Sequence, residues 1–376
     1  MIIVLAAILA GVSILLTLWV AWNLRGWPRP AVQGTGEPLP HVSVLVPARN
    51  EQANITRCLE SLLRQEYPSY EVICLDDQSE DATPTILQEL TLRFPKLRIL
   101  HGSPLPEGWV GKCYACHQLA EAAQGEWLLF TDADTVHSPL MLSSLVRTGM
   151  VRKAGLVTGF PRIISSHAFG WLVLPMLHFV IALHLPLRLV ERSSDPRFVA
   201  AHGAYMLYRR KAYELIGGHA AHRSSLIEDM DMARTVKAAG SKVSLIDVTG
   251  LVGCEMYDTP SGVWQGFAKN MFTGLGRSSV LLFALLLFYL LIYVSPLLLL
   301  PGALYKGHIM LAALSAVALT AGVLQKLIVD RRFGVPMGWC LLLPVSFISI
   351  IALALRSWYL SVRKLGYHWK GRRYSS

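Results

Sequence analysis

The chain has 376 residues, of which 53% are hydrophobic and 16% charged. An average soluble domain is about a quarter charged, so this composition argues against a wholly soluble globule. The net charge of +10 asks for an anionic partner; with the apolar residues gathered at both ends, lipid headgroups and phosphorylated substrates fit it better than nucleic acid.

Ile2 to Trp22 is almost wholly apolar and long enough to cross a bilayer. No charge precedes it, whereas Arg25, Arg29 and Arg49 follow it. That is unlike a secretory signal, and the positive-inside tendency puts the next segment in the cytosol. Pro28, Pro30, Gly34, Gly36, Pro38 and Pro40 mark a linker. From His41 the pattern alternates: strand 42–46, helix 51–64, strand 70–75, helix from Thr83, strand 97–100, helix 112–123, strand 126–130. This predicts an α/β domain with a largely parallel sheet covered on both faces. No G-x-G-x-x-G follows the first strand, which disfavours a dinucleotide oxidoreductase.

Residues 168–190 are apolar but contain Pro175, Pro186, His178 and His184. They suit a membrane-surface helix pair or a buried core segment. The α/β pattern resumes with strand 202–208, helix 211–216, helix 225–239 and strand 242–246. Residues 262–272 form an amphipathic helix suited to a bilayer interface. Three apolar runs follow, at 279–301, 309–329 and 336–355, and then a basic tail from Arg356. Three crossings from a cytosolic domain would put that tail outside. Its Lys and Arg content says inside, and Pro296, Pro301 and Pro344 allow a re-entrant segment. The domain plan is thus a membrane helix over 1–23, a catalytic α/β domain over 41–277, membrane or re-entrant helices over 279–355 and the tail 356–376.

The strand ends carry the chemistry. Asp132-Ala133-Asp134 closes the fourth strand, where alternate side chains converge and a ligand of an α/β sheet sits. Two hard carboxylates suit Mn2+ or Mg2+ with substrate phosphates completing the shell; alternatively Asp134 or Thr135 caps a helix near Ser138-Pro139. Asp76, Asp77 and Asp81 after the second strand offer acceptors for a uracil N–H or serve a turn. Lys112, after a glycine at a helix start, is a pyrophosphate contact or a surface lysine. Asp229 is a base or a helix-surface carboxylate beside Glu228 and Asp231. His202 and His219 read as structural histidines or as phosphate or acceptor contacts. Cys113-x-x-Cys116 has no second pair with which to bind zinc.

Pro47-Ala48-Arg49-Asn50-Glu51, Asp76-Asp77-Gln78-Ser79, Asp132-Ala133-Asp134 and Ile227-Glu228-Asp229, in that order, resemble the motifs of the family 2 inverting glycosyltransferases of GT-A fold. Gly108-Trp109-Val110-Gly111-Lys112 and Trp369-Lys370-Gly371-Arg372-Arg373-Tyr374 are similar to its carotenoid-pathway and hopanoid-associated branches. The resemblance implies a UDP-sugar donor contacted by Pro47, Arg49, Glu51, Asp76, Asp77, Lys112 and Asp132. It implies a metal on Asp132 and Asp134, and Asp229 as base. The acceptor is a membrane lipid, first a carotenoid or apocarotenoic acid, then a hopanoid, sterol or glycerolipid. Glu228, Gln265, Lys269, Trp369 and Arg372 are candidates for diphosphate or acceptor contact. The Q-x-x-R-W of the family's polysaccharide synthases is missing around Gln265, which counts against polymer synthesis. A transporter would show paired hydrophobic repeats, and a scaffold would need no acids at three strand ends.

Overall fold

The computed structural model describes residues 1–31, 34, 36–363, 365–369 and 372–374, with Lys269, 367–369 and 372–374 described by backbone alone. The chain divides into two compact units: Met1–Gly26, Ser165–Leu185 and Tyr257–Ser376 form one, Trp27–Ile164 and Pro186–Met256 the other. Most of the 168–190 stretch thus belongs with the terminal helices and not with the α/β unit.

The α/β unit is built on strands β1 (Val42–Ala48), β2 (Tyr70–Asp76), β3 (Leu97–His101), β4 (Trp127–Thr131), β5 (Thr135–His137), β6 (Ala154–Phe160), β7 (Arg162–Ile163), β8 (Tyr205–Arg209), β9 (Lys242–Asp247) and β10 (Val252–Cys254). Seven of them form a sheet in the order β3-β2-β1-β4-β8-β6-β9, and β5, β10 and β7 form a small second sheet. Strand alternation sorts the core. Val44, Val46, Val72, Cys74 and Leu129 face the helices Ile55–Leu63, Thr83–Arg93 and Met141–Arg152. Leu45, Ile73, Leu75, Leu128 and Phe130 face Gly111–Ala122 and Glu228–Ala238. Each such side chain contributes about 1.5–3 kcal/mol on burial.

The sheet is largely parallel, as sequence alternation predicts, with one exception: β8 runs antiparallel to both β4 and β6. Alternation gives a strand's faces but not its direction. The chain reaches β8 only after leaving for the other unit at Ser165–Leu185. Thr135 lies in β5 and the next helix starts at Met141, so neither Asp134 nor Thr135 caps it. All six cysteines are buried and free.

In the other unit, Ile2–Gly26, Ser279–Tyr305, Ile309–Phe333 and Met337–Val362 are each long and apolar enough to cross a membrane. Ile2–Asn23 lies along Ile309–Phe333 in the same direction: Ala6 clusters with Leu311 and Ala312, and Thr17 Oγ1 donates to the Ala321 carbonyl at 3.2 Å. Ser279–Tyr305 runs opposite to both, with Ala303 in the Ala6 cluster and Tyr293 Oη donating to Gln325 Oε1 at 2.8 Å. Gln325 Nε2 in turn donates to the Ser13 carbonyl at 3.0 Å. These bonds satisfy polar groups that lipid could not. Lys326 and Asp330 are buried as an i,i+4 ion pair. The stretch 168–190 forms three short helices, Ala168–Val173, Met176–His184 and Leu187–Arg192. Asn23 Nδ2 ties the second of them to the N-terminal helix by donating to the Ala182 and Leu185 carbonyls at 2.9 and 2.7 Å.

Candidate active site

The cleft at the C-terminal end of β4 is organised by Lys112. This residue opens the Gly111–Ala122 helix, and its Nζ lies 2.8 Å from Asp132 Oδ1 and 3.0 Å from Glu228 Oε1. Asp132 follows β4. Glu228 and Asp229 sit in the first turn of Glu228–Ala238, where acids suit the positive helix end. Asp229 is fixed from two sides: the Gly203 N–H donates to Oδ2 at 2.9 Å and the Met230 N–H to Oδ1 at 2.8 Å. Gly203 allows this approach, since a Cβ there would stand 2.8 Å from Lys112 Nζ and 3.6 Å from the carboxylates of Asp229 and Glu228.

These neighbours set the charges. Burial works against the ammonium of Lys112, but Asp132 and Glu228 hold it charged well above the ordinary lysine range. Burial also opposes ionisation of Glu228, and Lys112 outweighs it, leaving the carboxyl below its usual value. Asp229 lacks a direct cation. Burial first, then the charge of Glu228, push it up to about 7. His202 and His219 are driven by burial to about 4 and about 3, so both rings are neutral near pH 7. They are also engaged: His202 Nδ1 accepts from the Ala204 N–H at 3.1 Å, and His219 Nδ1 lies 2.8 Å from Tyr213 Oη.

The structure brings together Pro47, Lys112, Asp132, Glu228 and Asp229 as cleft-lining residues. Arg49 lies in the loop after β1 and reaches across to the loop after β2. Its Nη1 donates to the Asp77 and Gln78 carbonyls at 2.6 and 2.7 Å. Asp76 Oδ1 accepts from the Ser79 N–H at 3.2 Å, and Asp77 is buried with its N–H on the Ala48 carbonyl. The Glu51 N–H donates to Thr83 Oγ1 at 2.8 Å. These two loops interlock through the polar groups that the sequence suggests for the nucleotide. Asp81 is held below the usual carboxylate range, because hydrogen bonds from Thr83 and Gln52 outweigh its burial. Gln265 is exposed on the Pro260–Gly274 helix of the other unit. The side chains of Lys269, Trp369 and Arg372 lie outside the described residues.

Asp132 and Asp134 flank the turn between β4 and β5. Asp132 is 30% exposed at its side chain, and Asp134 Oδ1 accepts from Cys254 Sγ at 3.7 Å. No further His, Cys, Asp or Glu joins them in a ready metal cluster among the described residues. Two half-exposed carboxylates suit a hard cation that draws its other oxygens from a diphosphate.

A buried polar cluster beneath this turn escapes sequence reading. Thr131 Oγ1 lies 3.1 Å from both Thr135 Oγ1 and His137 Nε2 and donates to the Ala204 carbonyl at 2.8 Å. Thr135 Oγ1 donates to the Asp132 carbonyl at 2.6 Å, and His137 Nδ1 lies 3.1 Å from Ser61 Oγ. The T-D-A-D-T-x-H run was visible, but only the folded turn shows that its flanks meet. Gly203 was visible only as a glycine ahead of an apolar strand.

Residues 43–217 match the family described as Glycosyl transferase family 2. A beta-monoglucosyldiacylglycerol synthase of Nostoc sp. strain PCC 7120 is 31% identical over 203 residues, 54% of this chain and 41% of that protein. The chain therefore spans about two-fifths of that relative's length. A 4,4'-diaponeurosporenoate glycosyltransferase of Staphylococcus aureus strain MRSA252 is 23% identical over 89% of this chain and 88% of its own length. Among solved structures, a mannosyltransferase from Pyrobaculum calidifontis, in complex with GDP-Man and Mn2+, aligns over 97% of this chain and 99% of its own, with a TM-score of 0.57 at 19% identity. That likeness extends the GT-A fold over the sheet described above. Residues 43–217 thus form a domain of the family 2 glycosyltransferases.

Proposed function

We propose that this enzyme transfers a hexose, glucose from UDP-glucose, to a membrane lipid with inversion at the anomeric carbon. The reading is supported above all by the convergence of Lys112, Asp132, Glu228 and Asp229 on one cleft beside the D-x-D turn. Inverting transfer is a single displacement. It needs a base on the acceptor side and positive charge beside the departing diphosphate. Asp229 suits the first role: two backbone N–H groups orient it, and its affinity for protons is near neutrality. Lys112 suits the second, with Glu228 holding its ammonium in place. Pro47, Arg49, Glu51, Asp76 and Asp77 frame the nucleotide. Mn2+ or Mg2+ on Asp132 and Asp134 supplies Lewis-acid charge to the diphosphate when bound.

The lipid acceptor is supported by the relatives, one named for a carotenoid acid and one for a glycerolipid. The apolar helices support a multi-pass protein of the cell membrane, working on its cytosolic side. The test uses the full chain in detergent with radiolabelled UDP-glucose and a bacterial lipid extract. Label should enter the organic phase, stop with EDTA and return with Mn2+. No label in lipid would refute the reading, and full activity of Asp134→Ala in EDTA would refute the metal's place in it.

A further inference from the structure

We propose that the reacting group of the acceptor is a neutral hydroxyl and not a carboxylate; this rests on the transfer reading above. Asp132, Glu228 and Asp229 place three carboxyl groups on the cleft. Among the described residues lining it, Lys112 is the only cation, and both Asp132 and Glu228 already hold it. His219, also in the lining, is neutral. A divalent cation on Asp132 and Asp134 would be balanced by those two carboxylates and the donor diphosphate, so an ionised acid brought to Asp229 would be a further anion facing a carboxylate whose ionisation the cleft already resists. It would also have no proton to give to the base. A hydroxyl removes both conflicts. Its O–H bond breaks as the proton passes to Asp229, and its oxygen bonds to the anomeric carbon. The bond from that carbon to the diphosphate breaks, and the electron pair leaves with the diphosphate.

The test offers the full chain in nanodiscs UDP-glucose with two matched pairs, oleyl alcohol against oleic acid and retinol against retinoic acid. Products are classed by mild alkali, which cleaves a glucosyl ester and spares a glucoside. The expected result is an alkali-stable product from an alcohol, at least tenfold above any ester, lost about a hundredfold or more in Asp229→Asn. An ester formed as fast as the glucoside, or ester formation that survives Asp229→Asn, overturns the inference and leaves glycosyl transfer standing. Donor turnover to water with no lipid product also overturns it. No donor turnover at all removes the transfer reading itself.

A separate set of contacts carries a second inference: the last apolar helix is re-entrant. Phe347 stacks on Tyr293 with centroids 4.2 Å apart, Ala354 clusters with Leu282 and Leu286, and Trp358 Nε1 donates to Ser279 Oγ at 3.0 Å. Leu343–Val362 therefore runs antiparallel to Ser279–Tyr305. Ile309–Phe333 runs antiparallel to the same helix, so two consecutive helices point the same way and the chain between them must turn back. Leu343 packs at Gly322, where it and Tyr293 each lie 3.4 Å from the site of a Cβ. Gly322 is roughly 16 Å back along its helix from Phe333. The return is made by the short 3-10 helix Met337–Leu342 between Pro336 and Pro344. We infer that Met337–Val362 enters and leaves at one membrane face, the face of Ser279, and that the tail emerges there. The tail's positive charge then agrees with the count of crossings.

Impermeant maleimide labelling of Lys306→Cys and Ser375→Cys in intact cells and in permeabilised cells tests this. The native cysteines are buried, so background is low. The two positions should label from opposite sides. Labelling from the same side overturns the inference, whichever way the whole protein is inserted.

Discussion

Gly203 lies close against Lys112, Asp229 and Glu228, and the predictions that isolate single side chains start there. Its backbone angles suit any residue, so Gly203→Ala should fold, with a melting temperature near that of the parent. The new methyl would push Lys112 Nζ out of the fork of Asp132 and Glu228. A displacement of about 1 Å can cost about a hundredfold in rate, so turnover should fall by roughly ten- to a hundredfold. Asp229 gives the pH dependence. The groups facing it are Glu228, Lys112 and the N–H groups of Gly203 and Met230, with burial the largest influence and Glu228 next. Burial and Glu228 both favour the protonated form, so the base is lost as pH falls through about 7. Turnover should drop about tenfold per pH unit below that point and level off above it. A flat profile from pH 5 to 8, measured with a hydroxyl acceptor, would deny Asp229 its role.

The turn between β4 and β5 holds two acids between strands of different sheets. It rests on Thr131, Thr135, His137 and Ser61, of which Thr131 also lines the cleft. His137→Phe leaves hydroxyls without their partner, at a cost of about 1–3 kcal/mol in stability. It should also raise the Mn2+ concentration for half activity about tenfold or more, since partners behind a metal's ligands tune affinity on that scale. A thermal melt and a Mn2+ titration read the two effects separately. Equal metal response in both proteins would reduce the cluster to a packing role. The acids at the ends of β2 and β4 and on the Glu228 helix could be read from the chain because each follows a recognisable periodic run. The turn between β4 and β5 could not, because β5 has three residues and its partner β10 is more than a hundred positions away. Arg49 illustrates a different limit. The resemblance implies a donor contact there, and only the structure shows that the guanidinium also closes two loops by their carbonyls. The direction of β8 was hidden for a third reason, since pairing across a long excursion leaves no local pattern.

Across the entire protein, the prediction concerns the tail. If its cations lie near the donor site, deleting residues 367–376 should abolish transfer while the protein still pellets with membranes; a mere lipid anchor would leave transfer nearly intact, because the apolar helices hold the chain. The Gln325 side chain bears on something else, the order in which the protein is made. It bonds to Ser13, 312 positions earlier in the chain. A ribosome adding about 5–20 residues per second separates the two by roughly 15–60 s. During that interval the first helix must wait in the bilayer with Ser13 and Thr17 lacking their eventual partner, while the whole α/β unit is synthesised and can fold. The membrane bundle is begun first and closed last, so a nascent chain stalled before residue 325 would present a finished catalytic unit on an unfinished anchor.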